Sequence, residues 1–166
     1  TEAIPELCGQ CHEREKENYF EGPHGQALRE FEDAPVCSNC HGEHDIQKPS
    51  VEKIIVEEDC TDCHEFADSN EIKTQLLKIE GRVRWSRNLL DEVRALGMDV
   101  ALQEKALQDI KAEIGTMAHV MAVDRTSRRS PQILARTEEI DSRLKTLKRE
   151  GRNRRLVGIV SVSFLA

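Results

Sequence analysis

The sequence predicts a mainly α protein, in which an N-terminal segment of loops and short helices is followed by about three long amphipathic helices. Three observations carry this. From about Glu71 onward, apolar residues recur every three to four positions, the period of one helix face. Residues 1–70 instead hold four of the five prolines (Pro5, Pro23, Pro35 and Pro49) and few sustained apolar runs, so helices there are short. The same 70 residues repeat one five-residue pattern three times.

Charge divides at the same point. Residues 1–70 carry 5 basic and 18 acidic groups, net −13, and residues 71–166 carry 19 and 13, net +6, within a chain of net −7. Only 4% of the 166 residues are aromatic, too few for a conventional aromatic core. The expected organisation is a cofactor-binding segment at 1–70, a helical bundle segment at 71–155, and a short apolar tail at 156–166.

In chain order, Ile72, Leu76, Ile79 and Val83, then Leu89, Leu90, Val93 and Leu96, mark a first helix ending near Gly97. Val100, Leu107, Ile110, Ile114, Met117 and Met121 mark a second, expected to stop near Asp124 to Ser130. Ser130-Pro131 reads as a capping hydroxyl before a proline at the first helical position, so a third helix is expected from there through Leu134, Thr137, Ile140, Leu144 and Leu147 to Gly151. Arg82, Arg84 and Arg87 read as a solvated face. No aromatic interleaving accompanies these charges, so no nucleic-acid partner is expected.

Leu156 to Ala166 is an uncharged apolar run of 11 residues after Lys145, Lys148, Arg149, Arg152, Arg154 and Arg155. A bilayer span needs about 20. The run reads either as the first half of a membrane anchor or as a buried C-terminal strand or helix. As an anchor it would place its basic flank on the outer side, against the usual bias of Lys and Arg toward the cytoplasm.

The repeated pattern is Cys-x-x-Cys-His: Cys8-Gly9-Gln10-Cys11-His12, Cys37-Ser38-Asn39-Cys40-His41 and Cys60-Thr61-Asp62-Cys63-His64, which use every cysteine. Two thiols at this spacing can each add to a vinyl group of one porphyrin, with the adjoining His as axial iron ligand. Three covalently bound haem c groups are expected, held by Cys8, Cys11, Cys37, Cys40, Cys60 and Cys63 and ligated by His12, His41 and His64. Structural zinc would use two Cys-x-x-Cys units and leave the third unexplained. A disulfide framework gives no reason for the adjoining His. Covalent haem ordinarily implies export, so a periplasmic or outward-facing location is expected. It also supplies the buried apolar surface that 70 such residues lack, so this segment is not expected to fold without it.

Three further histidines remain, His24, His44 and His119, one per iron. His24 lies in Gly22-Pro23-His24-Gly25, where the glycines would let backbone approach a porphyrin edge. His44 follows His41 by three residues and cannot readily reach the opposite face of the same ring, so it would serve a neighbouring haem. His119 sits beside Gln108, Ala112, Gly115 and Ala122, small side chains at helical spacing that would leave a flat groove. Met117, Met121 and Met98 are the rival ligands. The expected pairings are His44 with the haem of Cys8 and Cys11, His24 with that of Cys37 and Cys40, and His119 with that of Cys60 and Cys63.

The stretches Asn18-Tyr19-Phe20-Glu21-Gly22-Pro23-His24-Gly25 and Ala34-Pro35-Val36-Cys37-Ser38-Asn39-Cys40-His41-Gly42-Glu43-His44-Asp45-Ile46 resemble periplasmic multihaem cytochromes c. The resemblance covers roughly residues 8–64. It implies that His24 and His44 are distal haem ligands; Pro23 stands where that family usually has Val. The long helices are similar to the helical parts of membrane-anchored members that pass quinol electrons to periplasmic proteins.

The implied function is single-electron transfer between a membrane-side, quinol-linked donor and another redox protein, with no catalytic residue of the chain's own. A bis-His iron keeps no position for substrate, which suits an electron carrier rather than an enzyme. An acidic haem segment would attract a basic docking face, and the chain would work with redox partner proteins or in a larger complex. The alternatives are a reductase subunit with one five-coordinate haem acting on small nitrogen compounds, and an outward-facing haem redox sensor.

Overall fold

The computed structural model describes residues 3–31, 34–44, 46 and 50–163, with side chains to Leu156. The protein is mainly α, and among the described residues no strand is present. Six short helices come first: α1 (Ala3–Gly9), α2 (Glu13–Glu21), α3 (Pro23–Phe31), α4 (Cys37–His41), α5 (Val51–Ile54) and α6 (Glu57–Cys60). Three long ones follow: α7 (Phe66–Ala95), α8 (Ala101–Val120) and α9 (Val123–Ser163).

The chain divides into two compact units that are not contiguous in sequence. Unit 1 comprises residues 1–79 and 112–130, and unit 2 comprises 80–111 and 131–166, so each long helix contributes to both. The core of unit 1 includes Leu28, Val36, Ile72, Leu76, Ile79, Met117 and Val120. That of unit 2 includes Val83, Val93, Leu107, Ile110, Ile133 and Leu144. The apolar stripes read from the sequence are thus buried stripes in α7 and α8.

Two helix boundaries differ from expectation. Helix α8 ends at Val120, and only Met121 and Ala122 separate it from α9. Met121 adopts φ 50°, a left-handed conformation rare outside glycine, and this turns the chain in two residues with no Gly or Pro to signal it. Helix α9 then begins at Val123, eight residues before the expected start, with Pro131 inside it. The Ser130 hydroxyl does not cap; it donates back to the Thr126 carbonyl at 2.8 Å. Residues 123–130 are held helical by side chains of unit 1: Arg125 pairs with Glu21 at 3.0 Å, Ser127 Oγ donates to Glu71 at 2.5 Å, and Arg129 pairs with Glu113. Pro131 therefore marks the division between units rather than a helix start.

The helix also runs past Gly151 without a break. A Cβ at Gly151 would lie 2.9 Å from Met98 Cγ and 3.0 Å from Leu96 Cβ, so glycine there permits close packing of the α7–α8 turn rather than ending a helix. Gly22 is tighter still, because a Cβ would stand 2.0 Å from the Val120 carbonyl oxygen, a backbone atom that cannot move aside. Gly22→Ala is accordingly expected to destabilise unit 1 by about 1–3 kcal/mol through overpacking. At Gly151→Ala the helix-propensity gain of about 1 kcal/mol is set against contact with Leu96 Cβ, which is fixed to its backbone, so a loss smaller than that of Gly22→Ala is expected. Chemical denaturation of the two variants checks the contrast.

Candidate haem-ligation site

All three Cys-x-x-Cys-His motifs fold as a single helical turn. The amide of His12 donates to the Cys8 carbonyl at 3.0 Å and that of His64 to the Cys60 carbonyl at 3.3 Å, while Cys37–His41 is α4 itself. One turn brings the first Cys, the second Cys and the His, at i, i+3 and i+4, onto one side. The six thiols are free. Helix α4 is set by its flanks: Asn39 Oδ1 accepts from the Val36 amide at 2.9 Å, and Tyr19 Oη donates to the Pro35 carbonyl at 3.0 Å.

The motifs adjoin in space. Cys8 hydrogen-bonds Cys37, whose thiol is pushed up to about 11 by burial first and by Cys8 second. The Cys40 thiol is likewise raised, by burial, then by Cys60 and Asp59. Tyr19, beside Cys37 and Cys40, is raised to about 12, chiefly by burial. Motif one thus meets motif two, and motif two meets motif three. Among the described residues no three His, Cys, Asp or Glu side chains converge on a common point, so the four-ligand cluster that structural zinc needs is not formed.

Two histidine pairs are formed instead. The rings of His24 and His64 lie 6.3 Å apart between centroids with planes 21° apart, and those of His41 and His119 lie 6.2 Å apart at 19°. Two imidazoles sharing one metal ion need about 2.0–2.1 Å from metal to nitrogen on each side, plus about 1.1 Å from nitrogen to centroid, or about 6.3 Å in all. Ordinary aromatic pairs also occur at about 4.5–7 Å, so distance alone decides nothing. Each pair does join one motif histidine to one histidine outside any motif.

Hydrogen bonds orient one ring of each pair. His119 Nδ1 lies 2.7 Å from the Gly115 carbonyl and His64 Nδ1 lies 2.9 Å from the Glu65 carbonyl. A carbonyl can only accept, so each Nδ1 is a donor, and Nε2 is the ring nitrogen left to meet a metal. Burial lowers the pKa of His24, with His64 a second cause, and burial lowers that of His41, followed by His119 and His12. Both rings are held in the neutral form that ligates metal.

The pairings differ from those expected, for His24 stands with the third motif and His119 with the second. The reason lies in α3 and α8. Gly22 abuts the end of α8 at Val120, and at Gly25 a Cβ would lie 2.3 Å from the Tyr19 carbonyl oxygen, so these glycines serve backbone packing within the protein rather than approach to a porphyrin. Asn18 Nδ2 ties α2 to Thr116 Oγ1 of α8 at 3.4 Å, and the last turn of α8 reaches His41. The expected groove along α8 is also displaced. The hollow there, about 410 Å³, is lined by Ala112, Thr116, Met117 and Arg125, not by His119. Met117 is buried and Met98 packs at Gly151.

His12 and His44 are exposed, and among the described residues no imidazole makes a ring contact with either. Asp45 lies outside the described residues, as do the side chains of 157–166. No described helix is long and apolar enough to cross a membrane. Compared with known proteins, the chain matches no family model, no curated protein and no solved structure.

Proposed function

We propose that this chain is a tri-haem c-type cytochrome that carries single electrons between a membrane-side donor and another redox protein, outside the cytoplasm. One observation carries the reading: two of the three Cys-x-x-Cys-His histidines each face a non-motif histidine at the separation that one shared iron requires. The residues present fit the cofactor. Cys8 with Cys11, Cys37 with Cys40, and Cys60 with Cys63 would hold the three porphyrins as thioethers. His41 with His119 and His64 with His24 would ligate two irons from both sides, and His12 the third, with His44 the remaining imidazole.

Haem iron supplies a one-electron couple. The chain's part would be to supply His41 with His119 and His64 with His24 as iron ligands, which would leave those two irons no position for substrate. The adjoining motifs keep the three attachment points together. The acidic charge of residues 1–70, net −13, favours a basic docking face whose encounter weakens with salt.

The test is the haem content of the protein purified from an exporting host able to attach haem c. A pyridine haemochrome equivalent to three haems per chain, with a mass raised by three covalent porphyrins, is expected. Bound zinc with no haem would overturn the proposal. Replacing Cys60 and Cys63 by alanine is expected to remove one third of the haemochrome signal.

A second reading is favoured by one observation, that among the described residues no imidazole ring packs on that of His12. If His44 does not ligate, the first haem keeps an open position, and the chain would serve as a reductase subunit for small nitrogen compounds. Carbon monoxide binding to one third of the haems in the unaltered protein would favour it.

A further inference from the structure

Unit 2 carries a second feature that electron transfer does not use. A groove of about 340 Å³ runs between α7 and α9, lined by Trp85, Leu89, Lys145, Lys148, Arg149, Arg152 and Asn153. Trp85, the only tryptophan in the chain, is 43% exposed. The Arg82 guanidinium lies 4.9 Å and the Lys145 ammonium 5.4 Å from its ring. Lys148 pairs with Glu92, whose carboxyl is held below its usual pKa by Lys148 and, more weakly, by Arg152. Of the groove's four cations, Glu92 thus pairs with Lys148 and is influenced by Arg152.

The charge is local as well as general. Unit 2 holds 14 basic and 10 acidic residues, while unit 1 holds 10 and 21. Between Lys145 and Arg155 six basic residues accompany one acidic one. Helix α9 continues without interruption from this basic stretch through Leu156, 62% exposed, into the apolar run that ends the sequence. An amphipathic ring, clustered Lys and Arg, and an apolar helical continuation are the elements of an interfacial lipid contact.

We infer that the groove around Trp85 binds the headgroups of anionic phospholipids and so seats unit 2 on a membrane surface. A phosphodiester would sit among Lys145, Arg149 and Arg152, with the Trp85 ring at headgroup level. The contact acts beside any span formed by residues beyond Arg155. It also does not depend on the haem reading, because no residue of the groove belongs to unit 1.

The experiment uses the full haem-loaded chain with vesicles of phosphatidylglycerol and phosphatidylcholine, against vesicles of phosphatidylcholine alone. Co-sedimentation and Trp85 emission are read at about 0.1 M and about 1 M salt. Binding to the anionic vesicles with a change in Trp85 emission, reduced at high salt, is expected. Arg149→Glu with Arg152→Glu is expected to weaken it at least about tenfold. Lys105→Glu with Lys111→Glu, an equal charge change on α8 away from the groove, is expected to weaken it far less.

Equal binding to neutral vesicles would assign the contact to the apolar run alone and overturn the proposal. Equal losses in the two variants would overturn it in favour of bulk charge, and inorganic phosphate reproducing the full Trp85 change would do so in favour of a free anion. Absence of vesicle binding with salt-sensitive self-association in sedimentation would place the acidic unit 1 of a second copy in the groove instead. The salt series on unaltered protein keeps the test decisive should the charge variants misfold.

Discussion

In the proposed tri-haem protein, replacing His119 by alanine is expected to turn one haem in three from low-spin to high-spin, the one that Cys37 and Cys40 would hold. The expectation follows from the 6.2 Å spacing of the His41 and His119 rings and from the Gly115 carbonyl that fixes the His119 tautomer. About one third of the ferrous haem should then bind carbon monoxide, because a six-coordinate iron has lost one axial ligand and nothing else. His24→Ala should open a different third, on Cys60 and Cys63, and the double variant two thirds. A protein lacking the third haem, through Cys60→Ala and Cys63→Ala, separates the possible pairings. In that background His24→Ala should have no further spectral effect, whereas His119→Ala should still open one of the two remaining haems. The reverse result would exchange the partners of His24 and His119. Wholly low-spin spectra in every His119 variant would remove it as a ligand.

That pairing was only half legible in the sequence. The Cys-x-x-Cys-His units announce themselves because the chemistry is local, five residues on one helical turn. The histidines His24 and His119 could be picked out as the spare imidazoles, but which motif each would meet depends on contacts between residues about 100 positions apart, such as Gly22 against Val120 and Asn18 against Thr116. No local pattern encodes those. The helices followed the same logic. The stripe from Ile72 to Val93 is a buried face, because apolar period maps directly onto a helix surface. Ser130-Pro131 misled because a local start signal was overridden by the tertiary contacts of Arg125, Ser127 and Arg129. The turn at Met121 had no Gly, Asn or Pro to reveal it.

The same limit hid the most consequential charge in unit 2. Asp141 is an ionisable residue that nothing in the sequence singles out, yet its side chain is 1% exposed and meets Arg82 of α7 at 2.5 Å. It stands one turn after buried Thr137 and three residues before buried Leu144, the spacing of the core stripe itself. Arg82, expected on a solvated face with Arg84 and Arg87, is the partner that makes this burial tolerable. Beyond that contact the Asp141 oxygens and Arg82 Nε have no hydrogen-bond partner, so the carboxylate depends on one guanidinium. Arg82→Met is therefore expected to cost about 3–5 kcal/mol, the penalty of leaving a buried charge unpaired. Asp141→Ala should cost less, about 1–2 kcal/mol, because Arg82 keeps an outlet to solvent and the Trp85 ring beneath it. Arg82→Met combined with Asp141→Leu should recover most of the loss, since apolar residues of similar volume can replace a buried pair at little net cost. Denaturation followed by Trp85 emission reads all three, because the indole lies beside the pair. If Arg82→Met were no worse than Asp141→Ala, the carboxylate would have to find another partner where it stands, and the pair would be a consequence of the packing of α7 on α9 rather than one of its causes.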